Sequence, residues 1–546
     1  MSSTSPAAAA SYRSWLIEHA LVFVLGAALM AWAYGGWTRP DNGVPGNDSF
    51  YHIKMASLMP QATTLRHFPW LQFSYFTDRG DSFVGHHYGF HLLLSPFVHA
   101  SQWLTGSYLP GGRWGVCVFF GFLALVMHRL ATLASTPWRW IWLPLFALLP
   151  FQFFIRHAFV RAMTPSLVFM LLITLFMFQR KYVLLAASIA VYIHLYMGGV
   201  AFAPLIVAAY VLSFALCGGD RRTMIGLTAW SLGAWVIGIV THPYRDGMWD
   251  FLRLQVLGSG LSPNISVGKE WKPYTDVWWF TQMCGPLLGA WIGAIVVRLR
   301  IGTKLNAEEL ALLVLNVAFF MLTAKARRFI EYWPVFCLLS AIFLARPMFE
   351  HATSHPFGRF GSWLAGFVSR QSTVLAVAAA ALVVALTPQW RSIRADAKCK
   401  FNLAAIQSAM DFIRERSQPG EIVFTDDWDI FPVFFYYNSH NYYVVGLDPI
   451  FTHTRRPDLW ARYVKITRGQ TPAEEQARMP DSSSRRLSIR LTDIRDHFGA
   501  KWVVTDRDHR ALAAELAAAT EFAELVYPSR SYEESKEAPY LVFRVR

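Results

Sequence analysis

A succession of apolar runs, closed by lysine or arginine at every second end, constrains this chain more than anything else in it. Eleven runs stand out, at 15–36, 113–130, 138–155, 163–179, 183–197, 199–217, 224–241, 277–298, 306–323, 328–346 and 373–388. A helix needs about 20 apolar residues to cross the hydrocarbon of a bilayer, and shorter runs reach that length by borrowing from their flanks. The chain is therefore expected to be a multi-pass helical membrane protein of the inner (plasma) membrane. Basic residues recur as Arg129 and Arg139, Arg180 and Lys181, Arg221 and Arg222, then Arg298, Arg300 and Lys304, and finally Arg346, Arg359 and Arg370. Loops rich in Lys and Arg stay cytoplasmic, which sets the N-terminus inside. An odd number of spans then sets everything after Pro388 outside. Residues 84–105 could be counted as a further span, but this would invert every later loop. They are read instead as an interfacial helix within a long first external loop, 38–112.

Composition narrows the partners. Hydrophobic residues make up 54% of the 546 and charged residues 16%, beyond the range of soluble domains. The formal charge of +14 is spread through short loops rather than gathered on one face. This points away from nucleic acid and toward anionic lipid headgroups or a phosphate-bearing substrate. The five cysteines lack disulfide or metal spacing, so no disulfide is expected.

Three parts follow. Residues 1–14 are expected to be a disordered cytoplasmic start. Residues 15–390 form the membrane domain, with external loops 38–112 and 243–276. Residues 395–546 are polar and carry β-like runs at 421–425, 442–447, 501–506 and 540–545, expected as an external α/β domain.

The chemistry gathers in the external parts. "PGNDSFYHIKMASLMPQ" (45–61) sets Asp48, Tyr51, His52 and Lys54 just after the first span. "RHAFVRAMTPS" (156–166) places Arg156 and Arg161 outside, against the charge rule. The 241–276 stretch holds Glu270, and "AKARRFIEYWP" (324–334) holds Arg327 and Arg328. Guanidinium forks suit phosphate oxygens, so external arginines beside a bilayer suggest a lipid phosphate or pyrophosphate. A carboxylate on each of two loops could act as base and as ligand to a hard divalent ion. His87 and His91 lie four apart, a spacing zinc sites use. No cysteine, third-helix histidine or HExxH pattern accompanies them, and with His86 they are read as interfacial or lining an acceptor.

The order of these parts resembles the catalytic subunit of oligosaccharyltransferases, and the GT-C glycosyltransferases in general. The aspartate in an Asn-Asp-x-x-Tyr-His context after the first span is similar to the family's catalytic aspartate, which implies that role for Asp48, beside acceptor and metal. "NISVGKEWKP" (264–273) resembles the external-loop motif ending in a glutamate, with Glu270 as its match and one extra residue in the register. "ARRFIEYWPVF" looks like the Arg-x-x-x-Tyr stretch near the donor phosphates; Arg328 is the natural match and Arg327 the alternative. The resemblance implies a polyprenyl-(pyro)phosphate-linked sugar as donor, a protein, lipid or glycan acceptor, inverting transfer, and a divalent cation (Mg or Mn) at Asp48 and Glu270. It also places Tyr51, His52, His86 and His87 on the acceptor side.

Two departures bear on that picture. The family's second external loop carries an acidic pair for the metal, and here Met163, Thr164 and Pro165 stand at that distance. The sequon-recognition motif Trp-Trp-Asp-Tyr-Gly has only Trp428 and Asp429 as its match, in "DDWDIFP". The alternative enzyme is a GT-C transferase moving one sugar to a lipid or polysaccharide. A lipid flippase or transporter is a further alternative; it would show repeated halves and midplane charges, neither of which is visible.

Overall fold

A computed structural model describes residues 6–35, 43–59, 65–76, 83–135, 138–261, 268–348, 391–467 and 491–546. It divides into two compact units. The first comprises residues 1–42, 87–245 and 269–398; the second comprises 43–86, 246–268 and 399–546.

The first unit is a helical membrane body. Among the described residues six helices are long and apolar enough to span: Ser14–Ala33, Leu109–Ala134, Gly199–Leu216, Arg221–Val240, Val277–Ile301 and Ala307–Lys325. A bent pair, Phe151–Ala158 and Met163–Phe178, adds a seventh if read as one broken span. Helix starts follow local chemistry. Asp276 and Asn306 accept backbone N–H groups at 2.8 and 2.9 Å and open the helices at Val277 and Ala307. Such caps satisfy donors that no helix can satisfy internally. Small residues let the first helix press onto Leu109–Ala134, since a Cβ on Gly26 would stand 2.7 Å from the Ala124 Cβ. Close backbone approach of this kind is how helices associate when lipid offers no hydrophobic drive.

Several expectations are corrected here. The helix expected to follow a disordered start already begins at Pro6. The run at 138–155 is not one helix: Pro144 and Pro150 leave a short helix, Trp142–Phe146, and a second from Phe151, because proline lacks the N–H an ongoing helix needs. The run at 328–346 begins as a 3-10 turn, Arg327–Glu331, before the helix at Trp333. Residues 84–105 do yield a helix, Tyr88–Thr105, burying Phe90, Leu94 and Val98. The run at 373–388 lies outside the described residues.

The second unit is built on a five-stranded sheet: β1 (Ile422–Thr425), β2 (Tyr442–Tyr443), β3 (Ala500–Asp506), β4 (Ala523–Tyr527) and β5 (Tyr540–Val545). The order is β2-β1-β3-β5-β4, with β1 parallel to β2 and β3, and β5 antiparallel to β3 and β4. Strand β4 lies outside the four β-like runs read from the sequence. Residues 43–86 belong to this unit. Tyr443 donates to the Trp70 carbonyl at 2.8 Å, and Gln72 donates to the Tyr443 carbonyl at 3.0 Å. The early loop thereby covers the β2 edge, which an open sheet would leave as unpaired backbone.

Candidate functional site

Arg156 lies in the last turn of the short helix Phe151–Ala158, whose Phe153, Phe154, Ile155, His157 and Ala158 are buried. The chain then turns by 112° into Met163–Phe178, and Arg161 lies in that turn. The turn is tied to the start of the late helix: the His157 ring meets Thr164 Oγ1 at 2.8 Å on one nitrogen and the Glu331 carbonyl at 2.9 Å on the other. Both arginines also sit by the Phe159 ring, at 5.7 and 5.2 Å.

Two carboxylates receive these groups. Glu331 is wholly buried, and its Oε1 accepts from Arg156 Nε at 2.6 Å. Glu270 lies in the 3-10 turn Lys269–Trp271. Its Oε2 accepts from Arg156 Nη2 at 2.7 Å and from Arg161 Nη1 at 3.2 Å, while Oε1 faces Arg328 Nη1 at 3.6 Å. Arg328 lies over the Trp271 ring at 4.1 Å. Three guanidinium groups thus meet two carboxylates, one positive charge in excess. Burial works to raise the Glu270 carboxyl, but Arg156, Arg161 and Arg328 outweigh it and hold it well below the ordinary carboxylate range.

That geometry sorts the expected residues. Arg156, Arg161, Arg328 and Glu270 come together. Arg327 does not join them: its Nε donates to the Pro273 carbonyl at 3.1 Å and its guanidinium lies by Tyr274. Arg327 clasps the loop, and Arg328 is the arginine of the cluster. Glu331, His157 and Trp271 were missed. Glu331 stands three residues after Arg328 and Trp271 directly after Glu270, so both lie inside the stretches already read for their neighbours.

Asp48 and its neighbours belong to the second unit. Gly46, at φ 75°, turns the chain into the helix Asn47–Leu58, with Asp48 in the first turn. Asn47 donates to the Asp429 carbonyl at 2.8 Å, so Asp48 and the Trp428–Asp429 segment are brought close. Tyr51 and His52 are buried, with Tyr51 6.4 Å from Phe435. Tyr51 packs this helix on Phe431–Tyr437, and neither side chain lines an open surface. His86 stacks on Phe251 at 4.5 Å. In the first unit His87 stacks on Tyr196 at 5.2 Å.

A metal ion fits Glu270 poorly. Both its oxygens are engaged by arginines, and a divalent cation there would face three guanidinium charges. Among the described residues one group has metal-ligand spacing: Asp426, Asp506 and His509. They follow the carboxyl ends of neighbouring parallel strands β1 and β3. His509 Nδ1 lies 2.9 Å from Asp506 Oδ1 and 3.3 Å from Asp426 Oδ2. Hydrogen bonds to the two aspartates raise His509 to about 10, so an imidazolium balances the carboxylates.

No family model matches the sequence, and no curated protein does. The likeness is in the fold, and it is to membrane glycosyltransferases of the GT-C kind expected from the order of the sequence motifs. The archaeal oligosaccharyltransferase AglB from Archaeoglobus fulgidus, in complex with an inhibitory peptide and a dolichol-phosphate, superposes with a TM-score of 0.62. It is 13% identical, over 91% of this chain and 71% of that one. The same enzyme with Zn and sulfate gives 0.60 at 13% identity, over 90% and 68%. ArnT from Cupriavidus metallidurans bound to undecaprenyl phosphate gives 0.53 at 11%, over 97% and 98%.

Proposed function

We propose that this protein is a glycosyltransferase that moves a sugar or oligosaccharide from a polyprenyl-(pyro)phosphate donor to an acceptor at the external face of the membrane. The observation that carries this reading is the convergence of Arg156, Arg161 and Arg328 on one carboxylate. Guanidinium forks that gather an anion suit a lipid phosphate. Two solved proteins of the same fold are held with dolichol-phosphate and undecaprenyl phosphate.

In this reading the acceptor attacks the anomeric carbon and the carbon–oxygen bond to phosphate breaks. The phosphate leaves with the electron pair, and positive charge at Arg161 and Arg328 stabilises it. Asp48 takes or orients the acceptor proton. One displacement inverts the anomeric centre and needs no covalent enzyme intermediate. The eleven-span topology, with the N-terminus cytoplasmic and the 395–546 domain external, belongs to this proposal.

A second reading has a specific observation behind it. The sequon-recognition motif is reduced to Trp428 and Asp429, and Met163, Thr164 and Pro165 stand where the family's acidic pair would be. Both favour transfer of a single sugar to a lipid or polysaccharide over transfer of a glycan to protein.

The test is transfer by purified protein from lipid-linked sugar pools, with Asp48→Asn and Arg328→Ala compared. Removal of a positioned general base costs about 10²–10⁴-fold. Asp48→Asn should lose that much turnover while undecaprenyl phosphate binding persists; Arg328→Ala should lose the binding. Full transfer by Asp48→Asn would remove Asp48 from the reaction, and unchanged binding in Arg328→Ala would remove the cluster.

A further inference from the structure

The two carboxylates of the cluster are not alike. Glu331 is wholly buried at the start of a membrane helix. It grips Arg156 from close range through Oε1, while its Oε2 has no hydrogen-bond partner. It is a fixed counter-ion. Glu270 is a quarter exposed and sits on a three-residue turn. Its contacts lengthen from 2.7 Å at Arg156 to 3.2 Å at Arg161 and 3.6 Å at Arg328. Arg156, which has a second carboxylate of its own, makes the shortest contact to Glu270, and Arg161 and Arg328 stand farther from it.

A carboxylate presents two oxygens and one charge to these guanidinium edges; a sugar phosphodiester presents the same, and a pyrophosphate or the phosphate monoester left after transfer presents more. The two anions cannot share Arg161 and Arg328 without facing each other at close range. We infer that Glu270 is a built-in stand-in for the donor's phosphate: it holds Arg161 and Arg328 in place while the site is free of lipid, and the arriving phosphate displaces it.

Several consequences follow for this side chain, all resting on the phosphate reading of the cluster. Without an anion between them Arg161 and Arg328 would repel each other, and Glu270 offsets that repulsion. Displacing Glu270 carries the turn Lys269–Trp271 with it and takes Trp271 away from the Arg328 face it now covers at 4.1 Å. Apparent donor affinity is therefore set by competition with an internal anion. Glu270 is a positioning residue that makes the site demand an anion able to outcompete a carboxylate, and neutral or zwitterionic lipid headgroups fail that demand.

Full-length protein in detergent, titrated with undecaprenyl phosphate, tests this. Glu270→Gln keeps the shape but removes the competing charge, and should bind about tenfold more tightly or better. Equal or weaker binding by Glu270→Gln, with Arg328→Ala still weakening it, would overturn the stand-in and leave the phosphate site intact. No effect from either Arg161→Ala or Arg328→Ala would instead overturn the phosphate reading itself. A second measurement needs no variant: amide hydrogen exchange at residues 269–272 should speed up on adding undecaprenyl phosphate to the unaltered protein. Slower or unchanged exchange there would sink the displacement.

Discussion

Two ionic clusters, one in each unit, use the same groups with opposite balance. In the membrane unit three arginines surround two glutamates; in the α/β unit two aspartates surround one histidine. The first has cation to spare and suits an incoming anion. The second has carboxylate to spare and closes on a proton held by His509. The sign of the excess, more than the number of charged groups, separates a cluster open to a ligand from one that ties loops together.

The largest stability effect should come from the carboxylate the membrane unit cannot replace. Glu331→Ala strips the buried counter-ion from Arg156, and breaking a buried pair costs about 3–5 kcal/mol. Glu270→Ala, at a partly exposed turn, should cost only about 1 kcal/mol. Thermal unfolding in detergent separates the two, and equal losses would erase the distinction between fixed and displaceable carboxylate.

His509→Gln should cost the second unit about 2 kcal/mol, the scale of a charged hydrogen bond. The sign with pH follows from His509 being raised to about 10 from 6.5. Its contribution is complete below about pH 6.5 and lost as pH rises through about 10. Burial pushes Asp426 up to about 6, and Asp506 is held below its ordinary value. Burial works to raise Asp506, but the His509 hydrogen bond outweighs it. Both aspartates are therefore ionised across the alkaline window, and only the imidazole changes. The unaltered protein should lose stability between pH 7 and 10 more steeply than His509→Gln; parallel curves would show that His509 is not the titrating group. The smallest effect is expected at Arg510→Ala, whose partner Glu537 lies 3.1 Å away with both side chains well exposed. Such surface pairs shift stability by only about 0.5 kcal/mol.

The membrane character and the polar, charge-bearing loops were legible because both are local. Apolar length and misplaced arginines need no knowledge of distant residues. The break at Pro144 and Pro150 was also local but was outweighed by the hydrophobicity around it. Strand β4 escaped because "AELVY" has only one fully buried position, as an edge strand can, so no alternation marks it. The choice between Arg327 and Arg328 could not be read at all. Adjacent residues on a tight turn point apart, and only the positions of Pro273 and Glu270 decide which guanidinium meets the anion. Nor could pattern reveal that residues 70–72 pair with the sheet edge, since the partners of Trp70 and Tyr443 are chosen by packing rather than period.

That last pairing sets a timetable for the growing chain. Trp70 donates its indole N–H to the Ser439 carbonyl, 369 residues further on. At about 5–20 residues per second, a ribosome needs on the order of tens of seconds to supply that partner. Through that interval the buried Phe68 and Phe76 and the half-buried Trp70 lack the late rings they pack on, Phe435 and Phe451. Biogenesis of this protein therefore includes a waiting period, during which an aromatic-rich segment must be kept from pairing elsewhere until the strand it serves has been made.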